Sequence, residues 1–243
     1  MRGWGGKLSD NLIYLDEAGS TNDELRGRVR SGDAWEGVVV MAERQTAGRG
    51  RKGASWICEP GKGLAFSVLL KPAWPVDRWG WVSLAAGLAI AETVEGFGME
   101  PALKWPNDVL LAGRKFCGIL TEASGGEVIV GIGINVGGRE EEFPEEVEAT
   151  TLSAVLGREV PRELVLERAW TSLGQMLQRS TGEVAERVWE RLAWRDQQVV
   201  VRHEGFEETG MIRAFGPCGE LVVETSRGLR QVSDVSSLRL ART

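Results

Sequence analysis

Histidine and cysteine are scarce in this sequence. Of its 243 residues, one is a histidine (His203) and three are cysteines (Cys58, Cys117 and Cys218). The cysteines are odd in number and form no C-x-x-C pair, which is typical of inert thiols in a reducing cytosol. A histidine-based catalytic triad and a multi-histidine zinc site are nearly excluded, because the bases and ligands that would build them are missing.

Long apolar runs and an excess of positive charge are lacking as well. The sequence contains no run of about 18 apolar residues, and its N-terminus lacks the apolar segment of a signal peptide. The formal net charge of −6 argues against a general nucleic-acid binder and against a protein that binds anionic membranes. We therefore expect a soluble cytoplasmic protein with neither DNA nor a membrane as partner.

Positive charge is instead concentrated in one stretch, Glu43–Trp56. Here Arg49, Arg51 and Lys52 are interleaved with glycines, which give the backbone access to positive φ and let it approach a ligand closely. Guanidinium and ammonium groups supply donors and charge that suit phosphate or carboxylate. Because such a loop is costly to order, we predict that it is mobile when empty and folded over an anion when occupied.

The first predicted helix follows a short strand at Leu12–Leu15. Thr21 and Glu24 have the spacing of a capping box, so we expect the helix to run from about Asn22 to Val29. The polar residues at its start have two interpretations. They are either a plain helix cap or a helix N-terminus that presents N–H groups and hydroxyls to a ligand.

Apolar periodicity predicts the remaining elements. Residues 103–120 predict one hairpin with a proline-stiffened corner, and the stretch from Gln197 onward predicts a small β-barrel or sandwich. Glycines within a predicted strand at Val128–Asn135 indicate that another group approaches it closely. The other predicted strands are Gly37–Ala42, Leu64–Leu70, Val199–Arg202, Gly210–Phe215, Leu221–Glu224 and Leu229–Val232, and the other helices are about Asp77–Glu95, Thr151–Leu156, Pro161–Arg179 and Glu183–Arg195.

The cationic side chains suit a reaction in which a carboxylate attacks a nucleoside triphosphate. A carboxylate is already ionised at pH 7 and needs no general base, but two anions must be held together. Fixed cations with Mg²⁺ can stabilise the charge on the phosphoryl oxygens and the leaving pyrophosphate. Each position alone also fits a solvated charge or an ordinary turn. The candidate cations are Arg49 and Arg51 in the loop, Lys104 at the hairpin entry and Lys115 on the return strand.

Two long motifs carry a resemblance to a known family. Residues 48–56 (G-R-G-R-K-G-A-S-W) resemble the G-R-G-R-x-G-x-x-W signature of biotin protein ligases, and Lys104–Asp108 matches their K-W-P-N-D block. Other stretches are similar to the remaining blocks of the family and occur in the same order, so that the resemblance covers nearly the whole chain. These stretches are Ser20–Asn22, Arg114–Lys115 with Gly118–Leu120, Gly131–Asn135 and, for the C-terminal domain, Ser237–Arg239.

The resemblance implies an α+β fold related to class II aminoacyl-tRNA synthetases. This fold has a mixed, largely antiparallel sheet flanked by helices, followed by a small C-terminal SH3-like β-barrel. We expect a catalytic domain over residues 1–195 and the SH3-like domain over residues 196–243. One departure is Val232–Val235, which stands where the family more often has a glycine-containing turn.

The resemblance also implies an activity, that of a biotin–[biotin carboxyl-carrier protein] ligase. Biotin and ATP would give biotinyl-5′-AMP and pyrophosphate, and biotin would then pass to a lysine of a biotin carboxyl carrier protein of acetyl-CoA carboxylase or a related carboxylase. Many bacterial relatives carry an N-terminal winged helix-turn-helix. Since the Ser-Thr-Asn block begins at Ser20, we expect a ligase that is not a repressor. A homodimer is left open.

Motif positions assign roles to individual residues. Lys104 is implied to contact the biotin carboxylate and the α-phosphate, and we assign Asp108 either to Mg²⁺ or to the acceptor lysine. Arg49, Gly50 and Arg51 are implied to close over biotin and phosphate. The implied biotin contacts are Ser20, Thr21, Asn22, Gln45 and the backbone around Gly118, and the implied nucleotide contacts are Trp56, Asn107, Lys115 and Asn135.

Three alternatives remain to be weighed against this interpretation. A lipoate or octanoate ligase or transferase shares the fold, but its R-R-x-x-G-G-G segment and its histidine-containing motifs do not occur here. A nucleic-acid-binding module could use the Arg/Gly loop and the tryptophans, but the acidic balance argues against it. A catalytically silent scaffold would lack biotin-dependent ATP–pyrophosphate exchange.

Overall fold

Two β-sheets and five α-helices make up the part of the chain that the structure describes. The structure is a computed structural model and describes residues 3–143, 147–203 and 206–241. The strands are β1 (Leu12–Ala18), β2 (Val39–Gln45), β3 (Gly63–Leu70), β4 (Pro101–Lys104), β5 (Asp108–Leu111), β6 (Arg114–Ser124), β7 (Glu127–Asn135), β8 (Gln198–His203), β9 (Phe206–Phe215), β10 (Leu221–Thr225), β11 (Gly228–Val232) and β12 (Ser237–Leu240). The helices are α1 (Thr21–Ser31), α2 (Trp81–Glu95), α3 (Leu152–Leu156), α4 (Arg162–Met176) and α5 (Thr181–Glu190).

The larger sheet has seven strands in the order β1-β2-β3-β7-β6-β5-β4. Strands β1 and β2 pair in parallel, and all the other neighbours pair antiparallel. Helix α1 packs on one face, and α2 packs on the other face with α4 and α5 behind it. The predicted mixed, largely antiparallel sheet flanked by helices is therefore confirmed.

Side-chain alternation along β7 decides which face carries the main core. Val130, Ile132 and Ile134 are buried in the large cluster that contains α2 and α4. Ile129 packs in the smaller cluster around Leu25 of α1. Since successive strand residues point to opposite faces, positions 131 and 133 face the α1 side. Both are glycines, so the sheet is left open on that side.

Three sequence-based predictions of local structure are wrong. The capping box is absent, because Ser20 is the N-cap and makes no side-chain cap hydrogen bond. The single hairpin is a three-stranded meander of β4, β5 and β6, because Trp105–Asn107 and Ala112–Gly113 are both tight connections. Helix α5 ends at Glu190, because Leu192 forms a β-bridge with Leu103 of β4.

Helix α2 is buried almost all round rather than along one face. The predicted core positions Trp81, Leu84, Leu88 and Ala91 are all buried. The opposite side of the helix is also covered, because α2 is sandwiched between β4–β6 and the helices α4 and α5. Within the described ranges, no helix has both the length and the apolar character needed to span a membrane.

The smaller sheet has five antiparallel strands in the order β11-β10-β9-β8-β12. Within the described residues no pairing between β11 and β12 closes this sheet, so the SH3-like barrel stays a prediction. Strand β12 was not among the predicted β-runs. The sheet joins the main core through Phe215, whose ring lies 5.3 Å from that of Trp81 and 5.7 Å from that of Trp189. The division into domains at residue 195 likewise stays a prediction.

Candidate functional site

A cavity of about 280 Å³ lies on the α1 side of the large sheet. Its walls come from the N-terminus of α1, the basic loop after β2, the β4–β5 turn, strands β6 and β7, and the five-stranded sheet. The structure brings all the predicted site residues except Asn135 to this cavity. They are Ser20, Thr21, Asn22, Gln45, Arg49, Gly50, Arg51, Trp56, Lys104, Asn107, Asp108, Lys115 and Gly118.

One end of the cavity is a network of uncharged polar side chains, buried except for the half-buried Gln45. It meets one carboxylate, since Nδ2 of Asn22 donates to Oε2 of Glu122 at 2.5 Å. Oε1 of Gln45 accepts hydrogen bonds from the Thr21 backbone N–H (2.9 Å) and from the Thr21 hydroxyl (3.3 Å). The hydroxyl of Ser67 lies 2.8 Å from Thr21 Oγ1 and 2.6 Å from Asn22 Oδ1. The side chains at the start of α1 are thus used in a tertiary network rather than in capping the helix.

Ser67 is a member of this network that sequence reasoning missed. It is fully buried on β3, in a strand whose other residues after Gly63 are all apolar. A single hydroxyl in such a run is a detectable signal, because a buried polar group must find a hydrogen-bond partner. Its partners are the two residues that the S-T-N motif already singled out, Thr21 and Asn22.

Glycines on β6 and β7 form the floor of the cavity. Gly118 and Gly133 are paired across the two strands, and the ring of Trp56 lies against both of them. A Cβ on Gly131 would overlap the amide of Asn22, and one on Gly133 would overlap the Trp56 indole. The predicted close approach to this strand is confirmed, and the approaching groups are these two side chains.

The indole of Trp56 has an unused hydrogen-bond donor. Its Nε1 is buried and has no partner among the described residues. The ammonium of Lys115 lies 5.6 Å from the ring centroid, within the range of a cation–π contact. A flat aromatic ring next to a cation is a suitable surface for a flat ligand group.

Two lysines flank the β4–β5 turn. The register pairs Lys104 with Asp108, but Asp108 Oδ1 forms its ion pair with Lys115 Nζ at 2.7 Å. Lys104 Nζ lies 5.3 Å from the centroid of Trp194, a residue that sequence reasoning missed. Among the described residues Lys104 makes no ion pair or hydrogen bond. Its positive charge is therefore available to a bound anion.

The basic loop carries three cations, and each is paired with a carboxylate. Arg49 donates to both oxygens of Asp23, at 2.6 and 2.8 Å. The Arg49 hydrogen bond is the main reason that the pKa of the Asp23 carboxyl lies below its usual value, although burial opposes the shift. Arg51 and Lys52 instead form ion pairs with Asp234 of the five-stranded sheet. The predicted mobility of the empty loop stays a prediction.

The far end of the loop is anchored at Glu43. Its carboxylate accepts hydrogen bonds from Arg162 (3.1 Å) and from the Gly61 backbone N–H (2.6 Å).

Two cysteines are buried. Burial raises the pKa of the Cys58 thiol to about 11, and burial raises the pKa of the Cys117 thiol as well. Both thiols are therefore protonated at neutral pH, in line with the expectation of inert cysteines.

Asn135 is the predicted site residue that the structure places elsewhere. Its Nδ2 donates to the carbonyl oxygen of Thr150 at 3.2 Å, and it is not among the residues that line the cavity. The backbone after Ala149 runs beside the start of β6, and the Asn135 amide donates to one of its carbonyl groups. The nucleotide contact assigned to Asn135 stays a prediction.

The described residues contain no group of three or more histidine, cysteine or acidic side chains placed to hold a metal ion. Asp108 is a single carboxylate and is paired with Lys115. Mg²⁺ commonly binds through one or two carboxylates together with substrate phosphates. The donor set therefore fits an ion that enters with a nucleotide and does not fit a resident metal centre.

Comparisons with known proteins agree with this geometry. The model of the "biotin/lipoate A/B protein ligase family" matches residues 15–138. A biotin–[acetyl-CoA-carboxylase] ligase of Mycobacterium tuberculosis is 43% identical over 147 residues, which are 58% of this chain and 54% of that protein. The bifunctional ligase/repressor BirA of Bacillus subtilis is 37% identical over 168 residues, which are 66% of this chain and 51% of that protein. The chain thus spans about half the length of these curated relatives.

Solved structures show a more extensive match. The biotin protein ligase from Aquifex aeolicus in complex with biotin and ATP is 33% identical and has a TM-score of 0.83, covering 95% of this chain and 99% of that chain. The biotin protein ligase from Leishmania major in complex with biotinyl-5-AMP is 22% identical, with a TM-score of 0.66 over 92% of this chain and 99% of that one. At 22% identity, the match to the Leishmania major protein shows a shared fold and nothing further.

Proposed function

We infer the function from the premise that the chain belongs to the biotin/lipoate A/B protein ligase family, and we propose that it is an ATP-dependent biotin protein ligase. One observation carries the proposal: a single cavity joins a largely buried network of amide and hydroxyl groups to the ammonium of Lys104, which has no ion pair among the described residues. Such a cavity suits a ligand with a neutral polar head and a carboxylate tail. The match to a structure that contains biotin and ATP supports this assignment.

The first step we propose is attack by the biotin carboxylate on the α-phosphorus of ATP. A bond forms between a carboxylate oxygen and phosphorus, and the bond from that phosphorus to the pyrophosphate oxygen breaks. Lys104 would neutralise both anions as they approach, which is the main electrostatic requirement of the step. Its lack of an ion pair supports this role, because no carboxylate has to be displaced first.

We propose that the head group of biotin binds at the network of Thr21, Asn22 and Gln45. Amide and hydroxyl groups offer both donors and acceptors, and Ser67 holds two of these side chains from below. The backbone around Gly118 would lie beneath the bound ring. Ser20 lines the same end of the cavity and completes the proposed biotin contacts.

The nucleotide is proposed to lie on the side of Trp56, Asn107 and Lys115. Arg49, Gly50 and Arg51 would close over biotin and the phosphates once these anions replace the carboxylates that now hold the loop. Mg²⁺ would enter with ATP and would reduce the charge of the triphosphate. We assign Asp108 either to this ion or to the acceptor lysine.

The second proposed step transfers biotin to a lysine of a biotin carboxyl carrier protein. The lysine nitrogen bonds to the acyl carbon, the bond from that carbon to AMP breaks, and the nitrogen loses a proton. The name of the Mycobacterium tuberculosis relative supports an acetyl-CoA carboxylase as the source of the carrier.

Finer features of the protein remain proposals of the same kind. We propose that residues 1–195 form a catalytic domain related to class II aminoacyl-tRNA synthetases and that residues 196–243 form an SH3-like domain. The mixed seven-stranded sheet and the separate antiparallel sheet support this division. A cytoplasmic location and the lack of a DNA partner stay predictions from the sequence.

The direct test is adenylate formation with purified protein, ATP, Mg²⁺ and labelled biotin. We expect biotinyl-5′-AMP and an equal amount of pyrophosphate, and then labelling of an added carrier protein at one lysine. Lipoate in place of biotin should give no adenylate above background. Folded protein that binds neither biotin nor ATP, or that activates lipoate instead, would overturn the proposal.

A further inference from the structure

The five-stranded sheet reaches the basic loop through one carboxylate. Asp234 lies between β11 and β12, more than 180 residues from the loop in sequence. It is part of the stretch Val232–Val235, which departs from the turn expected at this point. The neighbouring Val235 and Leu238 line the cavity as well, so this part of the small sheet forms a wall of the site.

Both oxygens of Asp234 are used. Oδ1 accepts hydrogen bonds from Arg51 and, at 2.9 Å, from the backbone N–H of Val235. Oδ2 lies 2.8 Å from Nζ of Lys52. Partial burial would raise the pKa of the Asp234 carboxyl, but the hydrogen bond from Lys52 and the charges of Arg51 and Lys52 lower it overall. Asp234 is therefore ionised at neutral pH.

Arg51 links Asp234 to the floor of the site. Its second terminal nitrogen donates to Asn107 Oδ1 at 3.2 Å, and Asn107 in turn donates to the carbonyl of Ile119 on β6 at 2.9 Å. The loop is additionally constrained at Lys52, where φ is 54°. Arg51 is therefore held between Asn107 at the floor and Asp234 of the small sheet.

The two halves of the loop are held by different parts of the fold. Arg49 is held by Asp23 of α1, with Glu122 of β6 3.7 Å away. Arg51 and Lys52 are held by the small sheet. The loop can thus be released on one side without being released on the other.

We propose that Asp234 is a positioning residue that holds Arg51 and Lys52 over the cavity before an anionic substrate binds, and that it yields these cations to the substrate. The carboxylate and a phosphate group compete for the same donors, and both are suitable partners for guanidinium and ammonium groups. The ion pairs are partly exposed, with side chains 28% (Arg51), 44% (Lys52) and 41% (Asp234) accessible. Exposed pairs are weak enough to be exchanged.

The test is limited digestion of the full chain with trypsin, which cleaves after arginine and lysine. Asp234→Asn keeps the size of the side chain but removes its charge. We expect cleavage after Arg51 and Lys52 in the ligand-free protein to become about three- to tenfold faster, because the loop opens more often. Asp234→Glu should restore slow cleavage, which a loss of packing alone would not explain.

Glu207→Gln is the matched control. Glu207 lies on the same sheet and pairs with Arg202 and Arg239, away from the loop. Its loss should leave cleavage after Arg51 and Lys52 within about twofold of the natural rate. Equal cleavage rates in Asp234→Asn and Glu207→Gln would overturn the proposal.

A second measurement needs no substitution. An ion-paired contact is screened by salt, so raising the salt concentration from about 0.05 M to about 0.5 M should speed cleavage after Arg51 and Lys52 in the natural protein. Cleavage at sites in the rest of the chain serves as the internal reference. If cleavage after Arg51 and Lys52 changes with salt to the same extent as cleavage at the reference sites, the proposal is contradicted.

Digestion with ATP and Mg²⁺ present separates this inference from the proposed function. If phosphates replace Asp234 as the partner of the two cations, the nucleotide should return Asp234→Asn to slow cleavage. Faster cleavage of the ligand-free variant without protection by ATP would support the positioning role and count against the proposed nucleotide site. Unchanged cleavage of ligand-free Asp234→Asn would overturn the positioning role, with or without protection by ATP.

Discussion

The two ends of the cavity are built in opposite ways. At the uncharged end, the side chains are bonded to one another and, apart from the half-buried Gln45, are buried: Asn22 is 2% exposed and Ser67 is fully buried. The amide of Asn22 also donates to the carboxylate of Glu122. At the cationic end, the loop side chains are partly exposed and are paired with carboxylates that a substrate would have to replace. The first end is preorganised for a neutral group, while the second must exchange partners to bind an anion. Ligand binding at the uncharged end should therefore depend mainly on shape, and ligand binding at the cationic end should depend mainly on charge.

The largest expected effect is at Lys104, which among the described cations that line the cavity is the one without an ion pair. Lys104→Ala should lower the rate of adenylate formation about 10²- to 10³-fold, because its charge matters most as the carboxylate and the phosphate meet. Biotin affinity should fall about tenfold or less. The measurement is ATP–pyrophosphate exchange together with calorimetric biotin binding. Lys71→Ala, which removes an exposed lysine paired with Glu127, should leave both unchanged. Equal losses in rate and affinity would count against the role given to Lys104.

The next effect should be at the uncharged end, where a methyl group would not fit. Gly131→Ala places a Cβ where the amide of Asn22 now lies, so that the network must shift. We expect biotin affinity to fall about 100-fold, since core overpacking costs about 1–3 kcal/mol. Gly27→Ala is the control, because nothing lies within 4 Å of the added Cβ on that face of α1. Normal biotin binding by Gly131→Ala would mean that the network is not the binding end.

Substitution of Arg49 should affect the retention of biotinyl-5′-AMP in the site more than it affects folding stability. Arg49→Gly eliminates the pairing with Asp23 but leaves both sheets intact. We expect biotinyl-5′-AMP to escape and to label bystander lysines about tenfold more than in the natural protein, with a change of less than about 1 kcal/mol in the free energy of unfolding. Mass spectrometry of a bystander protein measures the labelling. Modification that stays confined to the carrier lysine would show that Arg49 does not close the site.

Ser67→Ala sharpens the comparison at the uncharged end. It removes a donor and leaves the acceptors on Thr21 and Asn22 without their shared partner. We expect a loss of about 1–2 kcal/mol in the free energy of unfolding and a five- to tenfold weaker affinity for biotin, nearly independent of salt. Chemical denaturation and calorimetry at two salt concentrations measure these quantities. Ser31→Ala, an exposed serine, is the control. If the loss of biotin affinity in Ser67→Ala depended strongly on salt, the distinction between an uncharged end and a cationic end would be contradicted.

The smallest expected effect is the loss of stability when Glu43, which anchors the loop, is replaced. Burial would raise the pKa of the Glu43 carboxyl, but hydrogen bonds from Arg162 and Gly61 lower it below its usual value of 4.5. The anchor therefore contributes stability above pH 4.5, and this stability is lost as the pH falls through the lower folded value. Glu43→Gln should cost about 1 kcal/mol at pH 7, and the difference from the natural protein should shrink below pH 4.5. A difference that is constant with pH would show that the carboxylate charge is unimportant there.

Much of the candidate site could be predicted because its signals are local. Strand alternation places Gly131 and Gly133 on one face, and a glycine-rich basic stretch between two apolar runs predicts a loop that can approach a ligand. Lys104 and Asp108 are neighbours across a tight turn, so their proximity follows from the short connection alone.

Other features were missed because they depend on distant pairing. The predicted capping box failed because the side chain of Thr21 bonds to Gln45 and Ser67 rather than to its own helix. The hydrogen bond from Asn135 to Thr150 was not predicted, because the placement of Thr150 depends on a long connection after β7. Trp194 lies beside Lys104 because the chain after α5 turns back beside β4. None of these partners follows from helix or strand periodicity.

By itself, the sequence determined which residues could form a site and on which kind of element each one lies. Periodicity and turn chemistry are set by neighbours along the chain, so they can be read without a fold. Only the tertiary structure decided the partners of the loop cations, because Asp23 is 26 residues from Arg49 and Asp234 is 183 residues from Arg51. Bringing such groups together depends on how α1 and the small sheet pack against the main sheet, and that packing is a property of the whole core.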